Sequence, residues 1–264
     1  MLLCTATASI SVNAQTTEPQ LIDEFGKLSD GALQAHLDNV WNRLNSELTA
    51  TAQFLISRGE KLPIGTAQRN YEIMREYLVY QKIAPSRIVS TVCKPQPEEN
   101  FQIWLVSTTG NRKTCEPDII SVDETVLFDV APGLDNYTFS SSRVEEIRID
   151  SLDLALDSYA EQLRSIPNAK GYVLIYGGTN VFWSGDLNGG RRTVRKPDSK
   201  ARIRDLTVTS ANILKMNGLL RDQFVIRESG YRDSSAQIEL WIVPTGGKKP
   251  TPSSTYPKVK ANEF

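Results

Sequence analysis

The spacing of apolar residues over 156–178, LDSYAEQLRSIPNAKGYVLIYGG, predicts a helix, a turn and a buried strand. Leu156, Tyr159 and Leu163 stand at i, i+3 and i+7, which is one face of a helix. Pro167 and Asn168 end it, and the apolar, β-branched and aromatic run at 171–177 has the length of a strand closed by Gly177 and Gly178. The same pattern occurs at 37–59, LDNVWNRLNSELTATAQFLISRG, at a constant offset of 119. Eight of the 23 aligned positions are identical, among them Leu37/Leu156, Asp38/Asp157, Leu55/Leu174, Ile56/Ile175 and Gly59/Gly178. An internal repeat decides the architecture before any single element does.

The repeat continues downstream. Ile73, Met74, Tyr77 and Leu78 mark the apolar face of a helix over 66–82, and Leu78 aligns with Leu214 in a second helix of the later copy. Strands follow at 86–93 and 101–108, joined by the polar, proline-containing stretch 94–100. Their counterparts include Glu239-Leu-Trp-Ile-Val243, with Trp104/Trp241 and Thr108/Thr245 matching at an offset of 137. The change of offset comes mostly from an insertion at 181–201. That segment is rich in Gly and Arg and reads as a long loop, either flexible or used for recognition. A lead-in strand is expected before each first helix: at 21–28 in copy one and at 145–149 in copy two. Asp150 or Ser151 then caps the second copy's helix, the stretch 119–130 adds one or two strands on the weak alternation of 125–130, and 131–142 reads as loop.

Composition fits this picture. A chain of 264 residues holds two modules of about 100 residues, each large enough to bury a core. A net charge of −1 gives no global pull toward nucleic acid. No apolar run reaches the length of a membrane-spanning helix. The first fourteen residues are uncharged, and Val12-Asn13-Ala14 is similar to a signal-peptidase site. The usual basic start is missing, because the first Lys is Lys27. Cys93 and Cys115 flank the last strand of copy one, whose expected antiparallel pairing with the strand before it brings them together, and in an exported chain they suggest a disulfide, with two half-buried thiols as the alternative.

The catalytic inventory is thin. His36 is the only histidine, so a multi-His metal centre is excluded, and His36 reads as a boundary residue. The common hydrolase, zinc-protease and phosphate-loop motifs are missing. Asp150, Asp153 and Asp157 stand at helical spacing and could do acid-base work, but Asp150 reads more simply as a cap and Asp153 as a charge at the positive helix end.

The order helix-strand-helix-strand-strand with a lead-in strand resembles the OmpA-like C-terminal domain. In copy two the resemblance runs through LDSYAEQLRSIPNAKGYVLIYGGTN and ANILKMNGLLRDQFVIRESGYRDSSAQIELWIV, and in copy one through MREYLVYQKIAPSRIVSTV and FQIWLV. The family binds peptidoglycan, and the resemblance implies recognition of diaminopimelate carboxylates by an Asp after the second strand and an Arg in the second helix. Here the Asp position holds Lys61 in copy one and Asn180 in copy two, and the Arg position holds Asn70 and Leu206. Arg69 and Arg204 stand close by and could substitute. A guanidinium pairs with a carboxylate through two hydrogen bonds, which Asn and Leu cannot reproduce.

The sequence thus predicts an α/β (α+β) chain of two repeated modules, each a small mixed sheet with two helices in the order β-α-β-α-β-β. The expected boundaries are a signal at 1–14, modules at 21–110 and 143–246, a linker at 111–142 and a disordered Pro/Lys-rich tail at 247–264. The expected role is non-catalytic binding or scaffolding in a bacterial envelope, exported to the periplasm, the outer membrane or beyond. The expected partner is peptidoglycan or another envelope protein, self-association is allowed, and no cofactor, metal, nucleic acid or membrane span is expected. The alternatives are a structural or assembly subunit without a small ligand, and a carboxylate-dependent enzyme. The binding candidates are Asn180, Thr179, Arg204, Arg69, Lys61, Trp183, Arg191 and Arg192.

Overall fold

The computed structural model describes residues 18–108, 110–118, 123–133, 136–141, 144–185, 191–233 and 235–254. The expected signal at 1–14, the tail at 255–264 and the side chains of Asn180, Trp183, Arg191 and Arg192 lie outside the described residues. The first module runs β1 (Gln20–Phe25), α1 (Asp30–Ser46), β2 (Thr51–Gly59), α2 (Thr66–Tyr80), β3 (Ile88–Gln96) and β4 (Asn100–Val106). The second runs β5 (Val126–Pro132), β6 (Asn136–Ser141), β7 (Val144–Asp150), α3 (Ser151–Ser165), β8 (Lys170–Gly177), β9 (Thr179–Gly185), β10 (Arg191–Pro197), α4 (Lys200–Met216), β11 (Phe224–Tyr231) and β12 (Gln237–Val243).

Each module is a four-stranded mixed sheet with two helices on one face. The sheet orders are β1-β4-β2-β3 and β11-β8-β12-β5, which are the same order once β5 is matched to β1 and β11 to β3. The crossover pairs β2/β3 and β8/β11 are parallel and the remaining pairs are antiparallel. The fold is therefore the repeated α/β arrangement that the sequence predicts.

The helices form where their apolar stripes fall. Leu37, Val40 and Leu44 of α1, and Met74, Tyr77 and Leu78 of α2, are buried against Phe54, Ile56 and Ile103 of the first sheet. In the second core, Leu156, Tyr159 and Leu163 of α3 meet Val173, Ile175 and Leu240. Asp150 caps α3 by accepting from the backbone N–H of Leu152 at 2.9 Å. Each core also takes one side chain from the other module: Leu154 packs against the first and Ile64 against the second.

Five local expectations are corrected. The lead-in strand of the second sheet is β5, inside the stretch read as linker, and 145–149 lie in β7, which pairs with β6 instead. β5 is the strand expected from the weak alternation of 125–130, and the buried Asp129 is what weakens that alternation. The stretch read as a loop at 131–142 contains the end of β5 and all of β6, and the insertion at 181–201 is largely the β9–β10 hairpin. Tail residues 248–254 are not disordered but hydrogen-bonded onto the second sheet.

The fifth correction concerns how the cysteines meet. Cys93 and Cys115 form a disulfide. β3 and β4 are not neighbours, because β2 lies between them. The chain after β4 instead crosses the helix-free face of the sheet as a strap. Gln53 on β2 accepts from Lys113 N at 2.9 Å and donates to Lys113 O at 2.8 Å. The Lys113 ammonium sits 4.6 Å from the Trp104 ring centre, and Pro117 bridges to Cys93. Among the described residues, no helix is long and apolar enough to cross a membrane.

Candidate binding site

The first module carries a cleft of about 320 Å3. It opens between the β1–α1 connection, the first half of α2, the β3–β4 connection and β5 of the second module. The chain path explains its position. β1 and β2 end on the same edge of the module, and Pro63 turns the chain into α2, so three connections gather around the helix start. Phe25, Leu33, Ile73, Met74 and Phe101 give it an apolar floor, and Lys27, Arg69, Asn70, Glu99 and Asp129 give it polar walls.

Arg69 does not face the cleft as a free cation. Its Nη1 donates to Asp129 Oδ1 at 2.6 Å and to the Val130 carbonyl at 3.0 Å. The Asp129 side chain is only 1% exposed. Burial pushes the Asp129 carboxyl up from its ordinary value, and the Arg69 charge opposes that shift. Beside this pair, Asn70 donates to Glu99 Oε1 at 2.9 Å. Burial also raises the Glu99 carboxyl, with Lys27 and Arg69 pulling it back. The cleft thus offers a half-buried amide–carboxylate pair, an ammonium at its rim and an apolar floor. That set suits a ligand with both an amine and a carboxylate.

The corresponding end of the second module is built differently. The β9–β10 hairpin rises from it, and its base is clamped by Asp198. Gly178 N donates to Asp198 Oδ2 at 2.6 Å and Asp198 N donates to the Gly178 carbonyl at 2.9 Å. Arg202 pairs with the same carboxylate at 3.3 Å. A buried Asp therefore returns to the end of β8 from the far side of the insertion, where it acts as a clamp. Ser199 then caps α4 by accepting from Arg202 N.

The predicted residues scatter around these two ends. Lys61 is exposed in the turn after β2, beside Leu62 and Pro63, which line the cleft. Thr179 is buried at the start of β9, paired with Pro197, and the backbone of Asn180 pairs with Lys196. Trp183 is opposite Thr193, Arg192 opposite Ser184 and Arg191 opposite Gly185 in the hairpin. Arg204 is exposed on α4, while Leu206 is buried in the second core. Among the candidates whose side chains are described, only Arg69 converges with other polar groups on a cleft, together with its neighbour Asn70. Sequence reasoning missed Glu99, Lys27 and Asp129. The one signal for Asp129 was a charged residue inside the apolar run Val126-Leu-Phe-Asp-Val130.

Two of the three carboxylates at helical spacing have structural partners. Asp150 is the α3 cap, and Asp157 Oδ1 accepts from Asn217 Nδ2 at 2.5 Å. His36 Nδ1 lies 2.7 Å from Asp23 Oδ2, with its ring against Phe25. Among the described residues, no group of three or more His, Cys, Asp or Glu is placed to hold a metal ion. No protein-family model matches the chain, and no curated protein matches it.

Proposed function

We propose that this chain is an exported, non-catalytic binding or scaffolding component of a bacterial envelope, with its ligand site in the cleft of the first module. The observation that carries this reading is the juxtaposition of Lys27, Asn70 and Glu99 over an apolar floor at the start of α2. This is the region to which the resemblance to OmpA-like domains assigns a peptidoglycan ligand. The amino and carboxylate ends of diaminopimelate complement Glu99 and Lys27 respectively. The Cys93–Cys115 disulfide supports an oxidising compartment, as expected for an exported protein.

The test is co-sedimentation of the full chain with purified peptidoglycan, with and without free diaminopimelate. Saturable binding that diaminopimelate competes away, and that Asn70→Ala or Lys27→Ala weakens about tenfold, supports the reading. Retention no greater than that of a control protein rejects it. A second reading, a structural or assembly subunit without a small ligand, has its own supporting observation. The Arg69 guanidinium is already taken by Asp129 from the neighbouring module, so it serves the joint between modules.

A further inference from the structure

The wall of the first-module cleft contains a buried acceptor that no donor meets. Asp129 Oδ1 takes Arg69 Nη1 at 2.6 Å and the backbone N–H of Val130 at 2.8 Å. Asp129 Oδ2 is buried and accepts no hydrogen bond from the described residues. The Thr66 hydroxyl is close enough to pull the Asp129 pKa down, but it is not placed to donate to that oxygen. Asp129 lines the cleft, and with Oδ1 occupied it is Oδ2 that the side chain has left to offer there. A carboxylate oxygen is an acceptor only, and burying it unpaired is costly. A donor carried by a ligand in the cleft removes that cost.

Charge selects the kind of donor. The Asp129 carboxylate is already balanced by the Arg69 guanidinium. A second cation at Oδ2 would stand beside Arg69 and meet like-charge repulsion where water screens little. A neutral N–H carries no such penalty. Elsewhere the cleft keeps Glu99 for an ammonium and Lys27 for a carboxylate, over the apolar floor of Phe25, Ile73 and Phe101. The complete set therefore asks for an ammonium, a carboxylate and a neutral N–H on one apolar spacer. A diamino acid with one nitrogen acylated has this set. The free diamino acid does not, because both of its nitrogens are charged.

We propose that Asp129 Oδ2 is a ligand-binding atom of this cleft and that it accepts the amide N–H of a peptide-linked diamino acid. The inference rests on the reading of the cleft as a ligand site and names the form of ligand that the site selects, a residue within a peptide and not the free amino acid. It also makes the site a shared one. Lys27, Asn70 and Glu99 belong to the first module, whereas Asp129 belongs to β5 of the second. A ligand held by all of them spans the same joint that Arg69 spans, so its binding stabilises the two repeats together.

The test titrates the full chain by calorimetry with three probes: diaminopimelate, diaminopimelate acetylated on one nitrogen, and the ester analogue of the acetylated compound, with oxygen in place of the amide N–H. The acetylated probe is expected to bind most tightly. The ester is expected to bind about tenfold more weakly, because its oxygen turns a lone pair toward Oδ2. Asp129→Asn keeps an acceptor for Arg69 and Val130 and puts a donor at the Oδ2 position. It is expected to lose the preference for amide over ester, and a folded variant that keeps the preference overturns the inference. Should that variant fail to fold, the three probes on the wild-type chain still decide the matter. Equal affinity for amide and ester overturns the inference and leaves the amine-and-carboxylate reading of the cleft standing, since both probes carry an ammonium and two carboxylates. Tighter binding of free diaminopimelate than of the acetylated form also overturns it, because a cation then occupies the place beside Oδ2. Binding of none of the three overturns both readings.

Discussion

The guanidinium of Arg69, on the second helix of the first module, is held at 2.6 Å by the carboxylate of Asp129, on the first strand of the second. This pair joins the two repeats alongside the packing of Leu154 and Ile64 across the same joint. Breaking a buried pair by removing one partner typically costs about 3 to 5 kcal/mol, because the other charge stays buried and alone. Asp129→Ala is therefore expected to destabilise both modules together. Replacing both residues, as in Arg69→Met with Asp129→Leu, should recover most of that loss. Urea unfolding of the two singles and the double checks this, and additive losses would mean that the residues do not act as a pair.

The same joint requires a glycine. Gly65 N donates to the Phe128 carbonyl at 2.6 Å, and a Cβ on Gly65 would stand 2.5 Å from Phe128 Cε1. Its φ of −75° suits any residue, so the constraint is closeness and not backbone freedom. Gly65→Ala must push the Phe128 ring into the second core, at a cost of about 1 to 3 kcal/mol. Thermal unfolding should show the loss, and Phe128→Leu in the same chain should relieve part of it.

Within each module a helix pair is tied by the aspartate that the repeat preserves. Tyr77 Oη donates to Asp38 Oδ1 at 2.5 Å, and Asn217 Nδ2 donates to Asp157 Oδ1 at 2.5 Å. Burial, together with the Asp38 acceptor, pushes the Tyr77 hydroxyl up to about 12, so it remains a donor at any working pH. Tyr77→Phe keeps the ring and removes only that donor. It should cost about 1 to 2 kcal/mol, measured as a lower urea midpoint with an unchanged slope.

Much of this architecture was legible because the repeat is recorded in apolar spacing. Leu37 and Leu156, or Leu55 and Leu174, occupy equivalent buried positions, and a period of 3.6 or 2 reports burial directly. β5 was legible as a strand from the weak alternation of 125–130, but its place as the lead-in of the second sheet was not, because Asp129 is buried by a partner 60 residues away in sequence and reads as a solvent-facing charge. The strap that carries Cys115 was also misread. The cysteines do pair, but through a crossing of β2, a step that strand spacing alone does not encode. The cleft was legible only at Arg69 and Asn70, since Lys27 and Glu99 come from two connections and Asp129 from β5, and they converge only in space.

The disulfide fastens the middle of a strap that is also held by Gln53 at Lys113, by backbone bonds of Lys94 to Glu116 and of Asp118 to Val92, and by the Arg58–Asp118 ion pair. It closes a loop of sequence separation 22, worth about 3 kcal/mol by chain entropy. Reduction, or Cys93→Ser with Cys115→Ser, should release Lys113 from Gln53 and from the Trp104 ring before the core unfolds. Trp104 fluorescence, followed in a Trp41→Phe, Trp183→Phe and Trp241→Phe background, should shift on reduction well below the global transition. A shift that appears only at the global transition would mean that the strap is held by the core alone.

The pH dependence of stability follows from carboxyls that burial has raised. Glu72 and Glu99 both titrate above their ordinary 4.5, chiefly through burial, with nearby cations opposing the shift. Above pH 4.5 the unfolded chain releases these protons first, while the folded chain still holds them. The folded state thus binds more protons in the window from 4.5 up to the raised values, so stability falls as pH rises through it. Above the window the whole penalty is present, and below pH 4.5 it is gone. Glu99→Gln keeps an acceptor for Asn70 and removes the charge, so it should raise the urea midpoint at pH 7 and leave it nearly unchanged at pH 4. Glu72→Gln should act in the same direction, less the loss of its 3.5 Å ion pair with Arg75. Equal effects of Glu99→Gln at both pH values would show that burial of the ionised carboxylate carries no penalty here. The cleft would then hold enough water to solvate Glu99, and the amine of a ligand would gain little by replacing it.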